Sequence, residues 1–96
     1  MPSYVILVNF TDQGIRAVKE TVARARAAKE LAERMGGKLT VHWTLGAYDL
    51  VAFSEWPDEQ TAVAFALATG SQGNIRTTML RAYAEEEMAG IIGKLG

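Results

Sequence analysis

Residues 44–53, TLGAYDLVAF, decide the fold, because they hold a glycine corner between two apolar segments. The segments on either side, Lys38–Leu45 and Tyr48–Glu55, are rich in residues that favour β-strands. A two-residue loop that begins with glycine, as Gly46-Ala47 does, is typical of a type II′ turn joining antiparallel strands. The pattern therefore predicts a hairpin with a defined register.

The register of this hairpin predicts which side chains share a face of the sheet. Trp43 lies opposite Leu50 and His42 lies opposite Val51, and opposed residues point to the same side. One face carries mainly apolar residues, namely Leu39, Val41, Trp43, Leu45, Tyr48, Leu50 and Ala52. The other face is mixed and carries Thr40, His42, Thr44, Asp49, Val51 and Phe53. We expect the first face to meet the helices and the second to stay bare in a single subunit.

The rest of the chain predicts two further strands and three helices around the hairpin. The strands are Tyr4–Phe10 and Asn74–Arg81, and the helices are Ile15–Met35, a segment capped by Asp58, and Ala82–Leu95. The second helix, with the body TAVAFALAT, is apolar nearly all round, which is typical of a helix buried on more than one side. The order βαββαβ plus a final helix indicates an α+β, ferredoxin-like domain, with two helices on one face of a four-stranded antiparallel sheet.

The composition argues against several classes of function. The chain has 96 residues, so we expect one domain spanning 1–96. Its formal net charge of −1 argues against nucleic-acid binding, as does Phe53, the only aromatic residue expected on the bare face of the hairpin. The sequence has no cysteine, no metal-ligand motif and no run near the roughly 20 apolar residues that span a bilayer. We therefore expect a cytoplasmic protein without a nucleic-acid, membrane, metal or cofactor partner.

Three stretches of the sequence resemble the GYD-domain family. They are TLGAYDLV, with Gly46, Tyr48 and Asp49, then NFTDQG at the end of the first strand, and GSQGNIRTTMLRAY from Gly70 to Tyr83. Ala47 stands between Gly46 and Tyr48, a spacing that the family tolerates. The resemblance implies a ferredoxin-like domain of the dimeric α/β-barrel kind. It implies no particular activity, so the matched residues are signature positions and not known catalytic ones.

Polar residues expected on the bare face are the candidates for chemistry. His42 is the only histidine and would exchange a proton, and Asp49 on the neighbouring strand would orient its ring. In the structural alternative, His42 is a hydrogen-bonded strand residue, Asp49 accepts N–H groups of the turn, and Tyr48 packs beneath a helix. The candidate ligand-binding residues are Asn9, Thr44 and Arg76. Arg76 alternatively forms a salt bridge with Asp49 or contacts another subunit.

Two functions are consistent with this pattern. The first is a homo-oligomeric module for small-molecule binding or structural assembly, in which a second copy covers the mixed face. The alternative is a cofactor-independent enzyme, monooxygenase- or isomerase-like, acting on a small aromatic or carbonyl compound between the sheet and its partner. In that enzyme His42 is the acid–base group, and Asn9 or Arg76 stabilises an oxyanion. The two functions differ in the contact between subunits: an interface without water favours assembly, and an enclosed polar cavity favours a ligand or substrate.

Overall fold

The computed structural model describes the whole chain, Met1–Gly96. Its strands are β1 (Ser3–Phe10), β2 (Lys38–Trp43), β3 (Leu50–Glu55) and β4 (Ile75–Ala82). Its helices are α1 (Asp12–Arg16), α2 (Thr21–Arg34), α3 (Glu59–Gly70) and α4 (Glu85–Gly93), with a 3-10 turn at Val18–Glu20. The strands form one antiparallel sheet in the order β2-β3-β1-β4. The predicted α+β, ferredoxin-like fold class is confirmed.

The predicted register of the central hairpin is also confirmed, but its strands are shorter than predicted. Trp43 pairs with Leu50 and His42 with Val51, whereas residues 44–49 form a loop instead of a two-residue turn. Thr44 N still donates across the hairpin to Asp49 O, at 2.9 Å, whereas Asp49 N donates to Val8 O of β1, at 2.8 Å. Gly46 has a φ of +122°, in the region that favours glycine.

The core lies on the side of the sheet that the hairpin register predicts. Nine apolar residues are buried there, namely Ile6, Val8, Ala32, Leu39, Leu50, Ala52, Trp56, Ala62 and Phe65. Trp43 lies on the same side, since its Nε1 donates to Thr21 Oγ1 at 3.0 Å. Trp56 is fully buried, and its ring centroid lies 4.7 Å from that of Phe65. Trp56 is a core residue that the strand and helix periodicities did not indicate.

The first helix is broken, so the predicted continuous helix Ile15–Met35 is wrong. Gly14 is buried against the backbone of Asn74, where a Cβ atom would collide with the Asn74 carbonyl. This close approach holds α1 against the start of β4, and the chain passes through the 3-10 turn before α2 begins. The break leaves Ile15, Val18 and Val22 exposed instead of buried.

Two helix ends follow the predicted chemistry. Asp58 Oδ1 accepts from Thr61 N at 2.7 Å and caps the first turn of α3. At the end of α2, Gly36 N donates to Glu33 O and Gly37 N donates to Ala32 O, the pair of bonds that defines a Schellman motif. Gly36 has a φ of +83°, which glycine adopts without strain.

The outer surfaces of α3 and α4 are uncovered in the single chain. Val63 and Leu67 of α3 are exposed, so this helix is not buried on more than one side as predicted. The helix α4 begins at Glu85, later than predicted, because Ala82 still pairs with Ser3 in the sheet. It makes few contacts with other elements and leaves an apolar stripe exposed, which consists of Met88, Ile91 and Ile92 together with Leu95 just beyond the end of the helix. None of the helices combines the length and apolar character needed to cross a membrane.

Candidate functional site

One side of the sheet is bare and has an apolar centre. We call this surface the bare face; its apolar residues are Val5, Leu7, Val51, Phe53 and Leu80. They lie together because Val5 pairs with both Phe53 and Leu80 and Leu7 pairs with Val51. Phe53 is 53% exposed and Leu80 is 47% exposed. A contiguous exposed apolar patch of this kind is typical of interaction surfaces.

Three of the candidate residues hold the hairpin loop in place. Asp49 Oδ2 accepts from Phe10 N at 2.8 Å, which ties the end of β1 to the start of β3. Asn9 Nδ2 donates to Ala47 O at 2.9 Å, and Thr44 Oγ1 donates to Tyr48 O at 2.6 Å. These bonds satisfy backbone groups that lie outside the ladder where the chain passes from β2 to β3 or, at Phe10, leaves β1. Asp49 thus accepts a backbone N–H as in the structural alternative, but the donor belongs to the end of β1 and not to the turn.

His42 is not hydrogen-bonded to Asp49. The His42 side chain is exposed, has no hydrogen-bond partner in the chain, and stands edge-on to Phe53 with ring centroids 6.2 Å apart. The acid–base role of His42 and the orienting role of Asp49 stay predictions. Tyr48 does not pack beneath a helix as expected, because it lies in the loop with 37% of its surface exposed.

Arg76 lies opposite Asn9 in the β1–β4 ladder and is exposed. The salt bridge predicted between Arg76 and Asp49 is absent, since the chain has one salt bridge, Arg81 to Glu87 at 3.0 Å. Arg76 and Asn9 instead line a shallow polar depression at the end of β1, together with Thr11, Asp12, Gln13 and Gly73. The structure thus brings two of the candidate ligand-binding residues together.

A cavity that the sequence did not indicate lies on the opposite side of the sheet. It has a volume of about 350 Å³, is partly open to solvent, and lies between the sheet and the helices α2 and α3; we call it the inner cavity. Its apolar lining includes Val8, Leu39, Leu50 and Phe65, and its polar lining includes Arg24, Gln72 and Asn74. The feature of the sequence that could have indicated this cavity is the number of alanines in α2 that face the sheet, because they leave space that larger side chains would fill.

Hydrogen bonds at two helix starts lower carboxyl pKa values. The Thr61 hydroxyl and then the Thr61 N–H lower the pKa of Asp58 below its ordinary 3.8. The Ala84 N–H, and then the Arg81 guanidinium, lower the pKa of Glu87 below 4.5. Both carboxyls act as helix caps outside the bare face and the inner cavity. No group of three or more His, Cys, Asp or Glu side chains is arranged to hold a metal ion.

The bare sheet, the covering helices and the loop braced by Asp49 define a ferredoxin-like domain with one open face. Residues 4–92 match the GYD domain family, and the chain belongs to this family. It is 30% identical over 84 residues to the glutamine synthetase and cystathionine beta-lyase binding protein of Thermus thermophilus, covering 85% of this chain and 88% of that protein. No solved structure matches the chain.

Proposed function

We propose that this protein is a self-associating binding module of the cytoplasm, in which two copies pack bare face to bare face. The observation that carries this proposal is the apolar centre of the bare face, with Phe53 and Leu80 each about half exposed. A 96-residue domain buries a modest share of its surface, and here only 13 residues are buried. A second copy would supply the missing apolar contacts, because the same bare face is available on both copies.

Binding of another protein is the second part of the proposal. The Thermus relative is named for binding two enzymes, and this supports a partner-binding role for the present chain. The exposed stripe of α4 is the surface that fits such a role, since it is apolar and is not used by its own domain. The acidic residues Glu85 and Glu86 beside the stripe would add charge selectivity at the rim of the contact.

Self-association is tested by the mass of the protein in solution. We expect sedimentation equilibrium at micromolar concentration to give a dimer or a larger oligomer. Phe53→Glu should dissociate it, because a carboxylate cannot be buried unpaired against a second apolar sheet. Leu67→Glu is the matched control, since Leu67 lies on the outer side of α3 and is 68% exposed. A monomeric wild-type protein, or equal oligomers of both variants, would contradict the proposal.

The alternative function, a cofactor-independent enzyme, receives support from one observation. Asn9 and Arg76 share a polar depression, and their amide and guanidinium donors are suited to an oxyanion. His42, the acid–base group of this hypothesis, lies on β2 and does not line the depression. A structure of the oligomer separates the two functions. An enclosed polar space containing these side chains supports an enzyme or ligand site, and a dry contact supports assembly alone.

A further inference from the structure

The inner cavity lies where a small domain normally has its closest packing. Protein interiors are packed as densely as organic crystals, with few voids larger than a water molecule. The inner cavity, at about 350 Å³, instead falls within the size range of small-molecule sites. It lies on the helix side of the sheet, so it is separate from the bare face.

Small side chains keep the inner cavity open. Ala25 and Ala28 line it from α2, Ala66 from α3 and Ala52 from β3. The helices also stand apart, since α2 packs mainly over β2 and α3 over β4, and they make little contact with each other. The middle strands β1 and β3 are therefore the floor of the cavity, to which they contribute Ile6, Val8, Leu50 and Ala52.

Two guanidinium groups without a salt bridge line the inner cavity: that of Arg24, which is half-buried, and that of Arg34, which is exposed. Arg24 is half-buried and donates to Ala17 O at 3.0 Å and to Gly14 O at 3.3 Å. A guanidinium has five N–H donors, so these two bonds leave others available. No carboxylate forms a salt bridge with Arg24. A half-buried positive charge held in one orientation, beside an apolar cavity, is suited to an anionic ligand group.

Other polar groups lie near Arg24. Gln13 Nε2 donates to Gln72 O at 3.0 Å and to Asn74 Oδ1 at 2.9 Å, and both Gln72 and Asn74 line the cavity. Gly14, which accepts from Arg24, lies directly against Asn74. The inner cavity is thus polar beside Arg24, and Leu39 and Phe65 contribute apolar lining elsewhere.

We propose that the inner cavity binds a small apolar carboxylate, with the carboxylate at Arg24 and the apolar body over β1 and β3. A carboxylate matches the planar donors of a single guanidinium. The apolar body would occupy the space that the alanines leave, and its burial supplies the main driving force for binding. This site does not depend on self-association, so the two proposals can fail separately.

Competition binding with the full-length protein tests this proposal. The fluorescent probe is N-phenyl-1-naphthylamine, and the competitors are octanoate and 1-octanol, which have chains of the same length. We expect octanoate to displace the probe at a concentration about tenfold lower than octanol, because only octanoate gains the charge-assisted contact with Arg24. Equal displacement by the two competitors, or no binding of the probe, would overturn the proposal.

Variants locate the site. Ala66→Leu should fill the inner cavity and abolish probe binding, whereas Ala68→Leu, on the exposed side of the same helix, should not. Arg24→Gln should remove the preference for octanoate, and Arg26→Gln, an exposed neighbour, should keep it. If Arg24→Gln fails to fold, the comparison of Ala66→Leu with Ala68→Leu still shows whether the probe binds in the inner cavity. Phe53→Glu should bind octanoate as the wild type does. Unchanged binding by Ala66→Leu would overturn the assignment to this cavity.

Discussion

Single residues of this protein act mainly as braces between segments that are distant in sequence. Asp49 joins β3 to the end of β1 through Phe10 N, and Asn9 joins the end of β1 to the hairpin loop through Ala47 O. Trp56 Nε1 donates to Ser54 Oγ, which in turn donates to Tyr4 O, so even the largest core side chain has its polar atom satisfied. The GYD signature therefore has a structural function at Asp49, whether or not it also has a chemical one.

Replacing Asp49 tests the bracing role. Asp49→Ala should lower the free energy of unfolding by about 1.5–3 kcal/mol, because Phe10 N loses a charged acceptor. Asp49→Asn should be less harmful, since the amide oxygen can accept the same bond. Chemical denaturation of the purified variants measures both effects. If Asp49→Ala is as stable as the wild type, the bond from Phe10 does not stabilise the fold.

At the scale of the elements, each helix is defined by its ends more than by its periodicity. The α2 helix stops at a Schellman motif, and α3 starts at the side-chain cap of Asp58. The apolar periodicity that predicted one helix over Ile15–Met35 failed because it contains no information about Gly14, which must fit against Asn74. The end of a helix is a local property, whereas a break caused by tertiary contact is not.

The cap of α3 should make stability depend on pH in acid. Since the pKa of Asp58 is lower in the folded chain than the ordinary 3.8, ionised Asp58 stabilises the fold fully above that value. The contribution is lost as the pH falls through the lower, folded pKa. Asp58→Ala should therefore have a lower Tm than the wild type at neutral pH, and the difference should shrink as the pH falls.

Thermal unfolding followed by circular dichroism, from neutral pH to about pH 2, measures this difference. Asp58→Asn is the control, because an asparagine caps a helix without titrating. Its Tm should exceed that of Asp58→Ala by an amount that does not change with pH. A wild-type advantage over Asp58→Ala that is the same at both ends of the range would show that the ionised cap does not contribute.

At the scale of the whole molecule, the chain has more apolar surface than one domain can bury. Its principal extents are 52 × 30 × 17 Å, so it is elongated and thin, with the sheet uncovered on one side and α4 in little contact with the rest. The buried core consists of nine apolar residues on the other side of the sheet. The proposed contact between two copies would stabilise a domain with this geometry.

Coupling of stability to self-association predicts that the Tm depends on protein concentration. A contact that forms only between folded copies stabilises them by mass action, so the wild-type Tm should rise as the concentration rises. Phe53→Glu should have a lower Tm that does not change with concentration, and Leu67→Glu should behave like the wild type. Calorimetry over a wide range of concentrations measures this. A wild-type Tm independent of concentration would contradict a stabilising contact between copies.

Much of the fold follows from the amino-acid sequence alone. The strand order along the chain, the hairpin register, the Asp58 cap and the glycine end of α2 were all predictable. Each depends on side-chain alternation or on backbone sterics within a few residues. The same alternation separated the buried face, with Leu50 and Ala52, from the bare face, with Val51 and Phe53.

The tertiary structure decided the features that bear most directly on function. The hairpin loop is shaped by bonds to β1, the break before α2 depends on contact with Asn74, and the inner cavity opens because the helices stand apart over the middle strands. No local pattern encodes these features, because each arises from atoms of segments far apart in the chain that meet only after folding. The sequence by itself therefore determined which side of the sheet is bare, and only the assembled fold determined that the covered side contains a cavity.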